Sequence, residues 1–213
     1  MSIKIPIEIS ARHIHVSQKD FESLFGKGKT LTPKKELSQP GQYLAEERIT
    51  IQGPRGTFEN VAVLGPFRKN TQVELSITDT KKLGVPYIIR QSGDIAATPG
   101  CTLVNGEHTV DITDGVIVAK RHIHMTPREA MLLHVEDNDI VFVLTTSYER
   151  SLIYADVVVR VSPDFRLAMH VDTDEGNAFA SDAEPFGVLL KLFDSKQYSM
   201  DKWVNEVLEG IKR

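Results

Sequence analysis

The sequence predicts a mainly β protein with short helices, arranged as two similar small β-barrel domains. Short strand-like runs such as residues 61–64 and 157–159 recur along the chain, and turn-forming groups such as residues 53–56 separate them. The helical segments are brief, which favours barrels or sandwiches over an alternating βαβ sheet. In addition, one segment that joins a strand to a helix occurs twice.

The repeated segment is Ser-Ala-Arg-His-Ile-His-Val-Ser at residues 10–17, which returns as Ala-Lys-Arg-His-Ile-His-Met-Thr at residues 119–126. Each copy follows a strand-like run and ends at a helix N-cap, Ser17 in the first and Thr126 in the second. Glu129 completes a capping box with Thr126. The sequence therefore predicts that the two domains are related by internal duplication.

Composition limits the classes of function. The chain has 213 residues, is 41% hydrophobic and 25% charged, and carries a net charge of −4, which is ordinary for a globular protein and gives no reason to expect nucleic acid or a membrane as partner. No apolar run approaches the roughly 18 residues of a membrane span. Cys101 is the single cysteine, which excludes an intramolecular disulfide, fits a cytoplasmic location and favours a packing role.

The two His-x-His pairs predict metal binding. Side chains two residues apart in a strand point to the same side, so each pair presents two imidazoles together. Imidazole suits zinc, and a carboxylate commonly completes such a ligand set. Aligning the two halves places Glu74 opposite His170. The candidate ligand sets are His13, His15 and Glu74 in one half, and His122, His124 and His170 in the other.

Charged side chains near these ligands suggest an anion site. Arg68 follows a Gly-Pro-Phe turn, and its planar guanidinium matches phosphate bidentately. Three further arginines add positive charge: Arg12, Arg90 and Arg121. One of the carboxylates after His170 is expected to accept the second N–H of a ligand imidazole. These carboxylates are Asp172, Asp174 and Glu175.

Six segments of the chain resemble the PduL-type phosphotransacylases (phosphate propanoyltransferases). They are residues 10–17, 64–68, 92–94, 99–100, 121–126 and 170–175. The resemblance covers about residues 3–180 and implies two β-barrels with a two-zinc site between them, the N-terminal strand crossing over to the second barrel. The implied barrel domains are residues 12–119 and residues 1–11 with 120–185, which leaves residues 186–213 as a C-terminal extension.

The resemblance also implies an activity and residue roles. It implies reversible transfer of a short acyl group, propanoyl or acetyl, between coenzyme A and inorganic phosphate, which gives acyl phosphate and CoA. His13, His15 and Glu74 match the ligands of one zinc ion, and His122, His124 and His170 match those of the other. Arg68 matches the arginine that binds phosphate. Direct attack by phosphate is expected, since the sequence shows no activated serine or cysteine.

The C-terminal extension lies outside the matched pattern. Its apolar residues recur at helical spacing and predict one amphipathic helix that packs on the core or on a partner subunit of a homo-oligomer. The residues of this face are Trp203, Val204, Val207, Leu208 and Ile211. Because the first strand begins close to Met1, we expect no N-terminal targeting extension and a free cytoplasmic enzyme. The C-terminal helix leaves association with a bacterial microcompartment open.

Three alternatives stay open at the level of sequence. A zinc-dependent acyl-CoA hydrolase would use nearly the same residues, with water in place of phosphate. A cupin-like metalloenzyme also carries His-x-His on barrel strands, although a capped helix follows the pair here. A structural metal module or assembly adaptor would have closed four-ligand sites and would act through its C-terminal helix.

Overall fold

The computed structural model describes residues 3–145, 149–179 and 185–190. Its strands are β1 (Lys4–Ser10), β2 (His13–His15), β3 (Pro33–Glu36), β4 (Tyr43–Gln52), β5 (Thr57–Gly65), β6 (Gln72–Glu74), β7 (Ile89–Arg90), β8 (Cys101–Asn105), β9 (His108–Ile112), β10 (Val116–Ala119), β11 (His122–Met125), β12 (Ile140–Thr145), β13 (Leu152–Val161), β14 (Ala168–Asp172) and β15 (Phe186–Leu190). Its helices are α1 (Gln18–Phe25), α2 (Ile77–Leu83), α3 (Pro127–Leu133) and α4 (Thr173–Ala178). The predicted class, mainly β with short helices, is confirmed. Among the helices of the described residues, none has the length and apolar content to cross a membrane.

The chain divides into two compact units. One comprises residues 8–120 and 170–178, and the other comprises the described residues among 1–7, 121–169 and 179–213. The first unit contains a nine-stranded sheet. Eight of its strands follow the order β7-β10-β6-β2-β5-β4-β8-β9, and the ninth, β3, pairs with β4. Its core is a cluster of apolar side chains that are at most 9% exposed, among them Ile14, Phe21 and Leu24.

The other sheet is a closed barrel with the order β1-β14-β11-β13-β12-β15. The run Phe-Gly-Val-Leu-Leu forms β15, which pairs antiparallel with β1 on one side and with β12 on the other. From the sequence, these residues were assigned to the C-terminal extension. A five-residue apolar run without alternation gives no information about which strands it pairs with. The predicted amphipathic helix with Trp203, Val207, Leu208 and Ile211 lies outside the described residues.

Each His-x-His strand occupies the same place in its own sheet. The order β6-β2-β5-β4 in one corresponds to β14-β11-β13-β12 in the other. The histidine strands pair parallel with their neighbours, β2 with β5 and β11 with β13. The next pairs, β5 with β4 and β13 with β12, are antiparallel. This correspondence supports an internal duplication, which stays a prediction.

The helix that follows each His-x-His strand begins where the sequence predicts. The Ser17 side chain accepts a hydrogen bond from the backbone N–H of Asp20 and caps α1. Thr126 and Glu129 form a complete capping box at the start of α3. Each cap fixes the direction in which the chain leaves its histidine strand, because it satisfies backbone N–H groups that the first helical turn leaves without a partner.

A partly buried ion pair connects the start of the first repeat to α2. Arg12 donates two hydrogen bonds to Asp79, Nε to Oδ2 at 2.9 Å and Nη2 to Oδ1 at 2.8 Å. The guanidinium also lies 4.4 Å from the ring centre of Phe58. The Arg12 side chain is 42% exposed, whereas the Asp79 side chain is 6% exposed. Water can therefore replace the partner of Arg12 but not that of Asp79.

We expect Arg12→Ala to destabilise the fold more than Asp79→Asn does. Arg12→Ala leaves a buried carboxylate uncompensated and costs about 3 kcal/mol, while Asp79→Asn leaves a half-exposed cation that water solvates and costs about 1–2 kcal/mol. Urea unfolding with a chelator present measures both free energies without a contribution from bound metal. Arg128→Ala, at an exposed position of α3, is the matched control, and an equal or reversed order would contradict the expectation.

Cys101 is a core residue. Its side chain belongs to the apolar cluster of the nine-stranded sheet, and burial, assisted by the charge of Asp111, raises the pKa of its thiol to about 12. A thiol in this state is a packing residue and a poor nucleophile. The packing role that the sequence favoured is thus what the structure shows.

We expect the native protein to react slowly with a thiol-specific reagent. With a pKa of about 12, about one thiol in 10,000 is ionised at pH 8, and reactivity rises only as the pH approaches that pKa. A time course of reagent release measures this rate, and protein unfolded in guanidinium should release one equivalent at once, since the chain has one cysteine. Rapid labelling of the native protein would contradict the burial of Cys101.

Candidate metal centres

The first candidate centre is formed by the paired strands β2 and β6. His13 and Glu74 are direct partners in the antiparallel register, and the His13 and His15 rings lie 5.0 Å apart on the same side of β2. Glu74 Oε2 is 3.4 Å from His13 Nε2, and Glu74 Oε1 is 3.7 Å from His15 Nε2. Within this set the possible ligand atoms all lie within 4.8 Å of one another. The structure thus brings together the three residues that the sequence selected.

Protonation at this centre favours a bound cation. His13 Nδ1 lies 2.9 Å from the carbonyl oxygen of Ala11, so a neutral His13 donates from Nδ1 and keeps the lone pair of Nε2. Burial, with smaller contributions from His13 and Arg68, lowers the pKa of His15 to about 3. For Glu74, burial acts to raise the pKa, but His13, His15, Ser92 and Arg68 together lower it. At neutral pH, the donors facing this centre therefore include the Glu74 carboxylate and the lone pair of a neutral His15.

Arg68 lies beside this first centre. Its backbone N–H donates to the Val16 carbonyl at 3.0 Å, which ties the residue to the end of the histidine segment. Its Nη1 donates to Ser92 Oγ at 2.8 Å, and its charge contributes to the lowered pKa values of His15 and Glu74. An arginine in this place puts a cation next to the ligand set.

Two residues of this network, Gln72 and Ser92, had no role assigned from the sequence, although residues 92–94 form one of the six segments that resemble the family. Gln72 Nε2 donates to Glu74 Oε1 at 2.6 Å and to Ser92 Oγ at 2.9 Å. Gln72 precedes Glu74 by two positions on β6, so the period of a strand was a usable signal for it. Ser92 lies in an irregular stretch between β7 and β8, where no periodicity exists, so the resemblance of residues 92–94 was its sequence signal and the fold shows its partners.

The second candidate centre lies on neighbouring strands of the closed barrel. β11 carries His122 and His124, and β14, which is next to it in the barrel, carries His170. The His122 and His124 rings are 4.6 Å apart, and possible ligand atoms of the three histidines lie within 4.8 Å of one another. The ring of Phe165 lies 4.1 Å from that of His124 and covers it. All three histidines selected from the sequence are brought together.

A carboxylate that the sequence did not select lies beside His170. Glu8 Oε2 is 3.5 Å from His170 Nδ1, and Ser38 Oγ donates to the same oxygen at 2.7 Å. A carboxylate in this place can accept the Nδ1 proton and leave Nε2 as the ligand atom. The carboxylates proposed for this role from the sequence accept backbone hydrogen bonds at the start of α4 instead. Asp172 and Glu175 each accept the other's backbone N–H, and Asp174 accepts the backbone N–H of Thr78 at 2.8 Å.

We expect Glu8→Gln to weaken metal binding at the three-histidine centre by about 10- to 100-fold. A neutral amide does not stabilise the positive charge that His170 gains when it binds a metal ion. Competition for zinc against a chromophoric chelator measures this affinity, and the loss should be confined to one class of site. Glu59→Gln, at an exposed position of β5, is the matched control. An unchanged affinity in Glu8→Gln would remove this role.

The other three arginines selected from the sequence have partners of their own. Arg12 is held by Asp79, and Arg90 pairs with Asp94 at 3.5 Å. The Arg121 guanidinium lies 5.5 Å from the ring centre of Tyr154.

The residues of both centres fit zinc. Each set offers three nitrogen or oxygen ligands, which is the number that catalytic zinc sites use while a further position stays open for water or substrate. Three of these ligands, His13, His15 and His124, are at most 7% exposed, and a buried imidazole lone pair gains little from water. The imidazole-rich donor sets suit zinc better than calcium or magnesium, which prefer all-oxygen sites.

Comparison with known proteins gives one consistent result. A sequence model of the phosphate propanoyltransferase family matches residues 6–182. The chain is 53% identical over 174 residues to a phosphate propanoyltransferase of Thermotoga maritima, which covers 82% of this chain and 83% of the relative. It is 49% identical over 185 residues to one of Enterococcus faecalis, covering 87% of each chain. It is 48% identical over 178 residues to one of Salmonella typhimurium, covering 84% of each chain. The chain therefore belongs to the phosphate propanoyltransferase family.

Proposed function

We propose that the protein transfers a short acyl group reversibly between coenzyme A and inorganic phosphate. In the forward direction a phosphate oxygen attacks the carbonyl carbon of the thioester. A C–O bond forms, the C–S bond breaks, and the electron pair leaves with the CoA thiolate. The products are acyl phosphate and CoA.

The observation that carries this proposal is the position of Arg68. A guanidinium lies beside a buried carboxylate–imidazole set that fits zinc, and its charge reaches both Glu74 and His15. The planar fork of arginine matches phosphate oxygens bidentately. Arg68 would thus hold the phosphate and orient an oxygen for attack, which is a positioning and electrostatic contribution.

We further propose that the two centres hold one zinc ion each. His13, His15 and Glu74 would bind one ion, and His122, His124 and His170 the other. When bound, zinc supplies Lewis acidity toward the thioester carbonyl oxygen and the phosphate. Neighbouring groups orient the ligands: the Ala11 carbonyl orients His13, and the Glu8 carboxylate orients His170. Phe165 on the His124 ring removes water from one face of that ligand.

Family membership favours acyl transfer over the cupin-like and structural-module alternatives. The acyl group is proposed to be propanoyl or acetyl, which differ by one methylene, so a pocket can separate them by about 1–3 kcal/mol. A cytoplasmic location, a homo-oligomeric state and a contact through the C-terminal helix stay predictions.

Release of CoA thiol from propanoyl-CoA, with and without phosphate, tests the proposal. The zinc-loaded protein should release thiol only when phosphate is present, and acyl phosphate should appear in equal amount. Because Cys101 is buried, the enzyme's own thiol contributes little background to a thiol reagent. Equal release without phosphate would instead identify an acyl-CoA hydrolase, and no release from propanoyl- or acetyl-CoA would refute acyl transfer.

A further inference from the structure

Ser92 connects the proposed phosphate-binding arginine to a proposed metal ligand. Its Oγ donates to Glu74 Oε1 at 2.8 Å and accepts from Arg68 Nη1 at 2.8 Å. It also accepts from Gln72 Nε2 at 2.9 Å. The directions are fixed by chemistry, since a carboxylate only accepts while guanidinium and amide N–H groups only donate. The hydroxyl thus uses its one proton and both of its lone pairs.

The surroundings hold this hydroxyl in place. Gln72 is 2% exposed, and its Oε1 accepts the backbone N–H of Gly93 at 2.7 Å. That bond fixes which end of the Gln72 amide faces Ser92 and Glu74, so the amide donates to both at once. The Ser92 hydroxyl therefore has two partners within the ligand network, Gln72 and Glu74, and its third partner is the guanidinium of Arg68.

The same pattern argues against Ser92 as a nucleophile. A serine that attacks a thioester needs a free lone pair on Oγ and a base to take its proton. Both lone pairs of Ser92 accept hydrogen bonds, one of them from a cation, which makes the oxygen a weaker nucleophile. The proton points to a carboxylate oxygen that also accepts from Gln72, so that oxygen is already engaged.

We propose that Ser92 is a positioning residue that fixes the Arg68 guanidinium beside Glu74 and thereby sets the affinity of the enzyme for phosphate. This inference rests on the proposed function, in which Arg68 binds phosphate. Arginine loses much rotamer freedom when it binds an anion. A hydroxyl that holds Nη1 before phosphate arrives removes part of that cost, and the link to Glu74 keeps the cation at a constant distance from the ligand set.

Substitution of Ser92 tests the inference through the two substrates separately. In Ser92→Ala we expect the KM for phosphate to rise about tenfold, the effect of one hydrogen bond to a charged group. The KM for acyl-CoA and the zinc content should stay close to those of the wild type. Ser92→Thr keeps the hydroxyl and should restore the phosphate KM. Ser23→Ala, at an exposed position of α1, is the matched control, and Ser92→Gly repeats the test if Ser92→Ala does not fold.

Calorimetric titration of inorganic phosphate into each zinc-loaded protein gives a readout that does not require turnover. A weaker phosphate Kd in Ser92→Ala, with zinc retained, supports the role of Ser92 even if the wild type fails to transfer acyl groups, which would refute the proposed function alone. An unchanged phosphate Kd and KM would overturn the inference. So would an equal rise in both KM values together with loss of zinc, or a covalent acyl group found by mass spectrometry on wild-type protein and absent from Ser92→Ala.

Discussion

Replacing His124 by alanine should remove the metal ion of the three-histidine centre and abolish acyl transfer to phosphate. His124 is 6% exposed, so no water-accessible side chain can easily take its place. A metal ion that polarises a carbonyl or phosphoryl oxygen supplies several kcal/mol of transition-state stabilisation, and its loss should lower kcat/KM by about 1,000-fold or more.

Elemental analysis and activity together test this expectation. The wild type should contain two zinc ions per chain, one for each centre, and His124→Ala should contain one. His15→Ala should lose the ion of the other centre with a similar effect on activity. Both variants should unfold at a lower temperature, because a metal that binds only the folded state stabilises it. His108→Ala, at an exposed position of β9, should behave as the wild type. Full zinc content with full activity in His124→Ala would contradict the assignment.

Replacing Arg68 by alanine should lower kcat/KM for phosphate by about 100- to 1,000-fold while both metal ions stay bound. The loss is that of one preorganised cationic donor at the reacting anion. Arg68→Lys should recover only part of the activity, because an ammonium keeps the charge but lacks the fork that matches phosphate. The reaction is followed at varied phosphate with zinc content measured in parallel.

Added guanidinium ion sharpens the experiment on Arg68. If the variant lacks only the cation, millimolar guanidinium should raise the rate of Arg68→Ala and leave that of Arg68→Lys nearly unchanged. Arg128→Ala, exposed on α3, controls for the loss of an arginine elsewhere. Wild-type kinetics for phosphate in Arg68→Ala would show that this residue does not bind the anion.

The sequence predicted the metal-ligand residues better than the residues that hydrogen-bond to them. His-x-His on a strand has a fixed geometric consequence, since residues two apart face the same side, and both pairs occur beside a capped helix. Glu74 was found only because the two halves align. Its position opposite His13 in the β2–β6 register is long-range information that the alignment carried indirectly.

The residues that hydrogen-bond to the ligands come from parts of the chain that are distant in sequence, and no local pattern shows that they meet. Ser92 reaches Glu74 from an irregular loop, and Glu8 reaches His170 from a strand that is far away along the chain. Arg12 has the residue type of an anion-binding group, yet it forms an ion pair with the buried Asp79. A sequence shows which chemical groups are present, but a charge may be used to hold the fold or to bind a ligand, and only the fold decides between the two.

The place of β15 bears on how the protein is made. Within the closed barrel, β1 pairs with a strand near the other end of the described chain, with Lys4 opposite Val188. On the ribosome, β1 is synthesised first and has no β15 to pair with until residue 190 has left the exit tunnel. Strands β2 to β10 follow one another within residues 13–119, so their sheet can begin to form while the rest is being translated. The barrel is thus completed late in synthesis, and until β15 emerges one edge of β1 has backbone N–H and C=O groups without their strand partner.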